Sequence, residues 1–321
     1  MEQVAAKALL RRRETDLSLA AAFAVMVALL VAAPFVVYPV FVMKALCFAL
    51  FACAFNLLIG YVGLISFGHA MFFGWASYLA AYSAKVWALP PELAVVVGAA
   101  TATVLGIVVG GLAIRRQGIY FAMITLALAQ MMYFFALEAK FTGGEDGIQG
   151  VPRGRLFGVF DLSHEMTMYL FILIVVLAGF LFIFRIINSP FGEVLKAIRE
   201  NEPRTVSLGY KTERYKLVAF VLSATLAGVA GSLNALVFQL ASLTDVHWTM
   251  SGDVVLMTLL GGLGTVFGPV VGAFLVIAME NYLAPFGQWV LVIQGAIFVV
   301  CVLAFRRGIV GELAHALRLK L

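Results

Sequence analysis

The sequence predicts an all-α, polytopic membrane helix bundle of about ten transmembrane segments, with glycine-broken helices and a short helix lying on the cytoplasmic side. Three observations predict it. Hydrophobic residues make up 63% of the 321 residues and charged residues 12%, against roughly 45–50% and about 25% in soluble chains. The apolar residues fall in runs close to the roughly 20 residues that a spanning helix needs. The basic residues gather on alternate connections between those runs. This composition excludes a disordered chain, a collagen, a disulfide scaffold and a free-standing nucleic-acid binder. The net charge of +5, from 22 Lys and Arg against 17 Asp and Glu, is the excess that membrane proteins carry on cytoplasmic loops.

In chain order, a basic segment with Lys7, Arg11, Arg12 and Arg13 precedes an apolar run over 17–38. A cleavable signal core usually has only about 7–15 apolar residues, so this run is expected to be an uncleaved first helix. Further runs cover 41–59, 67–86, 93–113, 118–137, 167–186, 216–238, 251–263, 265–284 and 287–305. The stretches 60–68 and 251–268 have the least defined span boundaries. The expected organisation is a cytoplasmic segment 1–16, a transmembrane domain 17–305 and a cytoplasmic tail 306–321. Its two long connections are 187–215 inside and 138–166 outside. An even number of crossings puts both termini on one side. Lys7 to Arg13, Arg115 and Arg116, Arg185 to Lys216, and Arg306 to Lys320 then place 17 Lys and Arg inside, against Lys85, Lys140, Arg153 and Arg155 outside. That asymmetry puts both termini in the cytoplasm.

Two apolar regions are interrupted by glycine in similar ways. Gly60 and Gly63, followed by Ser66, Gly68 and His69, match Gly261, Gly262, Gly264 and Gly268. After each break small residues recur every four positions: Ser66, Ala70, Gly74, and Gly264, Gly268, Gly272. Such ridges let helix backbones approach closely. Paired interruptions also mark translocation sites, because free backbone groups at membrane depth must face protein or water. Both readings stand: tight turns followed by packing faces, or lining of a pathway. Polar residues inside the runs are few, chiefly Asn56, Thr125, Gln130, Asn234, Gln239, Asp253 and Glu280. Each should face protein or water. Asn56, Ser66 and His69 form one set of pathway candidates and Thr125 and Gln130 another, at least one of which is expected at an interface with a second membrane chain. For His69 a helix-packing hydrogen bond is the favoured role.

No chain of carboxylates crosses mid-membrane, which argues against a proton-driven carrier. No G-x-x-x-x-G-K-[ST] loop, H-E-x-x-H or G-x-S-x-G motif occurs, so neither a nucleotide site nor a membrane enzyme is expected. Cys47, Cys53 and Cys301 lie in apolar runs without metal-ligand spacing, and no metal site is expected.

The inside connection carries the sharpest local signal. Ser189 is a natural N-cap with Pro190 at the first helical position, and Pro203 disfavours helix before it. Phe191, Val194, Leu195 and Ile198 recur at i, i+3, i+4 and i+7 as one apolar face. Glu193, Glu200 and Glu202 accompany Lys196 and Arg199, a mixed charge that suits a groove on a partner protein better than an anionic lipid surface.

Six stretches now carry a family resemblance: Asn56 to Ala70 (NLLIGYVGLISFGHA), Arg116 to Ala129 (RQGIYFAMITLALA), Thr142 to Pro152 (TGGEDGIQGVP), Ser189 to Tyr210 (SPFGEVLKAIRENEPRTVSLGY), Arg214 to Gly231 (RYKLVAFVLSATLAGVAG), and Gly261 to Gly268. The chain resembles the membrane permeases of branched-chain amino acid ABC importers, LivM-type, from about residue 20 to about 310. The resemblance implies a non-catalytic permease in the bacterial inner membrane. Its inside loop would couple to the ATPases through Pro190, Phe191, Gly192, Val194, Leu195, Ile198, Arg199, Glu200, Asn201 and Glu202. It implies as partners a second, related permease, two ABC ATPase subunits that bind ATP and Mg, and a periplasmic substrate-binding protein facing the TGGEDG segment. A permease for urea, short amides or other amino acids is the alternative within the class. A stand-alone secondary transporter or channel is the alternative outside it.

Overall fold

A computed structural model describes residues 20–287, 289–305 and 308–316; the expected N-terminal segment 1–16 lies outside the described residues. Helices dominate. They are α1 (Ala20–Val36), α2 (Pro39–Ile59), α3 (His69–Lys85), α4 (Pro91–Ala113), α5 (Ile119–Glu138), α6 (Glu165–Ile187), α7 (Pro190–Glu200), α8 (Glu202–Ser207), α9 (Thr212–Phe238), α10 (Trp248–Gly261), α11 (Gly268–Leu283), α12 (Trp289–Ala304) and α13 (Gly308–Ala316). Each of the ten apolar runs thus holds a helix. Among the described residues, six segments can cross a bilayer by length and composition: α2, α4, α5, α6, α9, and Gly268–Phe286, which extends α11 by one turn. The others are shorter, α10 having only 14 residues because Gly261 and Gly262 end it early.

The position of α2 follows from its composition. Apart from Lys44 and Asn56 it is apolar on every side, and a helix apolar all round belongs inside; beyond its first turn every residue but Lys44 is buried. α6, α9, α10 and α11 pack on it, and α3 and α4 pack on α9 and on each other. α4 meets α9 through Gly98, Ala102, Gly106 and Gly110, a four-residue ridge. A Cβ at Gly106 would come within 2.8 Å of the Ala224 Cβ. This ridge packs as the small-residue rule requires, and neither ridge read from the sequence includes it. The ridges that were read also pack. Ser251 Oγ of α10 accepts the Ala70 backbone N–H at 2.9 Å, and Gly272 lies against the Met257 carbonyl of α10.

At one end of the bundle, Ile148–Gln149 pairs antiparallel with Leu240–Ala241, and Arg155–Leu156 forms a hairpin with Phe160–Asp161. These short strands are additions to the expected all-helical architecture. α7 and α8 lie at the other end. Residues 308–316 of the expected tail form α13, which packs on α10 and α11.

Candidate functional site

The two glycine breaks meet in space. α2 stops at Gly60, and the Leu58 carbonyl accepts the N–H groups of Val62, Gly63 and Leu64. Gly63 turns the chain at φ +81°, a left-handed value that glycine adopts without strain. The second break turns at Gly264, φ +72°. Between them stands the Asn56 side chain. Its Nδ2 donates to the Thr265 carbonyl at 2.9 Å, and its Oδ1 accepts the Gly264 N–H at 3.0 Å. Both polar ends of one buried amide are satisfied by the facing break, as a buried amide in a membrane protein must be. Gly60 is required by proximity: a Cβ there would overlap Asn56 Oδ1 and come within 2.8 Å of the Gly264 N. The Thr265 hydroxyl continues the network, donating to the Gly262 carbonyl at 2.8 Å and accepting the Gly268 N–H at 3.1 Å.

Arg199, in the last turn of α7, reaches this knot. Its Nη1 donates to the Gly60 carbonyl. A Cβ at Gly63 would lie 3.2 Å from its Cγ, and one at Gly264 would lie 3.1 Å from its Nη1. One guanidinium on α7 therefore touches both breaks.

The remaining pathway candidates are placed as follows. His69 is fully buried between α2, α3 and α9, with Phe55, Phe72 and Phe220 edge-on around its ring at 5.2–5.7 Å. The Ser223 hydroxyl spends its proton on the Ala54 carbonyl, so the 2.8 Å bond between Ser223 and His69 is donated by His69 Nε2–H. This is a packing bond joining three helices. Ser66 is buried, its Oγ accepting the Gly68 N–H at 3.4 Å. Thr125 is buried and bonds its own helix at Ala122, and its carbonyl fills the space where Gly68 has no side chain. Gln130 is half-buried, its Oε1 unpaired among the described residues. Asn56, Ser66, His69 and Thr125 thus lie inside this chain and present no surface to a second one.

On α7, Ser189 Oγ accepts the Gly192 N–H at 3.3 Å, with Pro190 in the first turn. Gly192 fits under the Ile186 and Ile187 carbonyls, where a Cβ would clash. Leu195 and Ile198 are buried against the chain's own helices, and Phe191 stacks on Tyr215 of α9 at 5.6 Å. The apolar ridge that the sequence suits to a partner groove is therefore already covered. Val194 is half-buried, while Glu200 and Asn201 are exposed. Asn201 caps α8 by accepting the Arg204 N–H at 3.0 Å. Glu202 pairs with buried Lys216 and accepts from Thr212 at 2.9 Å and Gln117 at 3.1 Å. It fastens the loop to α9 and to the α4–α5 turn. Within the 187–215 connection the large apolar side chains left exposed are Val206, Leu208 and Tyr210, the last two 69% and 42% exposed. Periodicity misses them because they straddle the end of α8; their only signal is three large side chains in an otherwise polar loop.

Residues 38–302 match the family described as "Branched-chain amino acid transport system / permease component". The chain belongs to this family. Among curated relatives of this permease, the high-affinity branched-chain amino acid transport system permease protein LivM of Escherichia coli (strain K12) is 27% identical over 293 residues, covering 83% of this chain and 68% of the relative. LivM of Salmonella typhimurium is 28% identical with the same coverage. A probable branched-chain amino acid transport permease protein LivH of Methanocaldococcus jannaschii is 27% identical over 158 residues, covering 46% of this chain and 47% of that one. No solved structure matches. The chain is a multi-pass membrane permease subunit, and the breaks, Asn56 and Arg199 all lie within the matched span.

Proposed function

We propose that this permease is one of two related membrane subunits of an ATP-driven importer of branched-chain amino acids in the bacterial inner membrane. The chain crosses the membrane ten times, over 17–305, with 1–16 and 306–321 in the cytoplasm. The Lys and Arg asymmetry supports that orientation, and a helix in each apolar run supports that number. ATP and Mg are bound by two separate ATPase subunits. A periplasmic binding protein selects the solute and meets the 138–166 side.

The observation that carries this reading is Arg199. A helix on the inside face is of use to an energised permease only if its displacement reaches the membrane segments. Arg199 gives α7 a charge-assisted grip on the Gly60 carbonyl, beside Gly63 and Gly264. Such bonds are worth about 1.5–3 kcal/mol. A push on α7 and α8 by an ATPase would move the helix-break knot, and with it the ends of α2 and α10 and the starts of α3 and α11. The contact to the ATPase is made by Glu193, Glu200 and Asn201 with Val206, Leu208 and Tyr210.

The test is purification of the tagged chain with its partners, reconstitution in vesicles and measurement of ATP-driven leucine uptake. Co-purification of a second permease and two ATPases, with uptake that requires ATP and the binding protein, is the expected result. Solute movement by this chain alone without ATP would overturn it, as would uptake of urea in place of leucine for the substrate.

A further inference from the structure

Opposite the inside helix, α2 carries a lone cation. Lys44 lies roughly 24 Å along the helix from Gly60, at about 1.5 Å per residue. Its Nζ is 3.0 Å from Glu280 Oε2 of α11, and the two side chains are 33% and 29% exposed. The pair borders an open cavity of about 290 Å³, also lined by Asp245, Asn234, Phe48 and Met250. A second space of about 380 Å³ adjoins it and shares Lys44 and Glu280. Together they fall in the usual range for small-molecule sites, about 300–1,000 Å³.

The cavity is unfinished. Asn234 is 5% exposed and its Oδ1 has no hydrogen-bond partner among the described residues. Asp245 is buried and forms no salt bridge within 4.0 Å among them. A buried amide oxygen without a hydrogen-bond partner and a buried carboxylate without an ion-pair partner each cost free energy. The ion pair beside them is open to water, and such a pair is held weakly enough to exchange partners.

We propose that this cavity is a receiving site for a zwitterionic α-amino acid with an apolar side chain. The ligand carboxylate takes Lys44. Its ammonium takes Asp245 and the orphaned Asn234 oxygen, with Glu280 close by. Its side chain lies on Phe48 and Met250. A simple anion meets two carboxylates, and a simple cation meets the ammonium of Lys44. Only a ligand carrying both charges satisfies both halves. This proposal rests on the importer reading, which places the cavity on the side where solute arrives.

Binding is read by saturation-transfer NMR on the full complex in nanodiscs, without the binding protein, using leucine, 4-methylvalerate (anion only) and isoamylamine (cation only) as probes. Leucine is expected to bind, and the single-charge analogues at least tenfold more weakly. Lys44→Gln and Asp245→Asn should each reduce leucine binding at least tenfold. The neutral double variant Lys44→Gln/Glu280→Gln keeps a hydrogen-bonded pair without charge, and it should insert normally yet fail to bind. Unchanged leucine binding in these variants overturns the proposal. Equal binding of isoamylamine overturns it in favour of a cation site. Loss of binding-protein association with leucine binding unchanged overturns it in favour of a protein-docking contact. ATP-driven leucine uptake is measured on the same preparations. Uptake that persists with no binding at the cavity sinks the site alone, whereas absence of uptake in the wild type sinks the importer reading.

Discussion

At the scale of single residues, Asn56 and Arg199 tie together parts of the chain more than 130 residues apart. Asn56→Ala leaves the Gly264 N–H and the Thr265 carbonyl without their partner inside protein. Unsatisfied buried groups cost about 1–3 kcal/mol each, so the variant should melt several degrees lower in detergent. A melting temperature equal to wild type would remove the clamp. Arg199→Ala acts differently, because it removes a link to the surface helix and leaves the core intact. The expected result is normal membrane level, normal association with ATPases, and leucine uptake reduced at least tenfold per ATP hydrolysed. Uptake at the wild-type ratio would leave Arg199 a surface contact. Asp245 offers a pH test. Burial is the main force pushing its carboxyl up from 3.8 to about 6, against the opposing pull of a Ser242 backbone hydrogen bond and the Lys44 charge. Between those values the folded state binds more protons than the unfolded one, so stability falls as pH rises from about 4 to 6. Asp245→Asn should therefore raise the melting temperature at pH 8 and lose that advantage near pH 4. A stabilisation independent of pH would refute the burial argument.

At the scale of elements, α7 was legible as a helix and misleading in its orientation. The N-cap, the first-turn proline and the apolar spacing are all local, and the helix starts where they place it; it ends at Glu200, and Pro203, expected to end the run, lies instead in the first turn of α8. An apolar stripe, however, only says that something covers it, and here α6 and α9 do. Ile198, 3% exposed, therefore behaves as a core residue. Ile198→Asp should lower the amount of folded protein in the membrane, since an unpaired buried charge costs several kcal/mol. The double variant Leu208→Asp/Tyr210→Asp should insert at the wild-type level and lose the ATPases on purification. Normal folding of Ile198→Asp together with retention of ATPases by the double variant would return the docking role to the apolar face of α7. The same distinction holds for His69: a polar residue beside a helix break is a pathway candidate by sequence, but its bond to Ser223, 154 residues away, makes it a strut.

At the scale of the whole molecule, the bundle has two poles joined by a buried helix. α7, α8, Arg199 and the glycine knot occupy one end of α2; Lys44, Glu280 and Asp245 occupy the other. Lys44 and Glu280 are opposite charges in apolar runs, which favours their pairing, but composition alone does not say which two runs are neighbours. The solvent class, the apolar runs, the side bias of basic residues, the kinship of the two breaks and the start of α7 were determined by sequence alone. They depend on composition, short spacing and local backbone preference, which act within a few residues. The meeting of the breaks across Asn56, the reach of Arg199 into them, the inward turn of α7's apolar face and the mixed-charge cavity were decided only by tertiary structure. Each joins residues far apart in the chain, and which long-range partners meet depends on how all the helices pack at once.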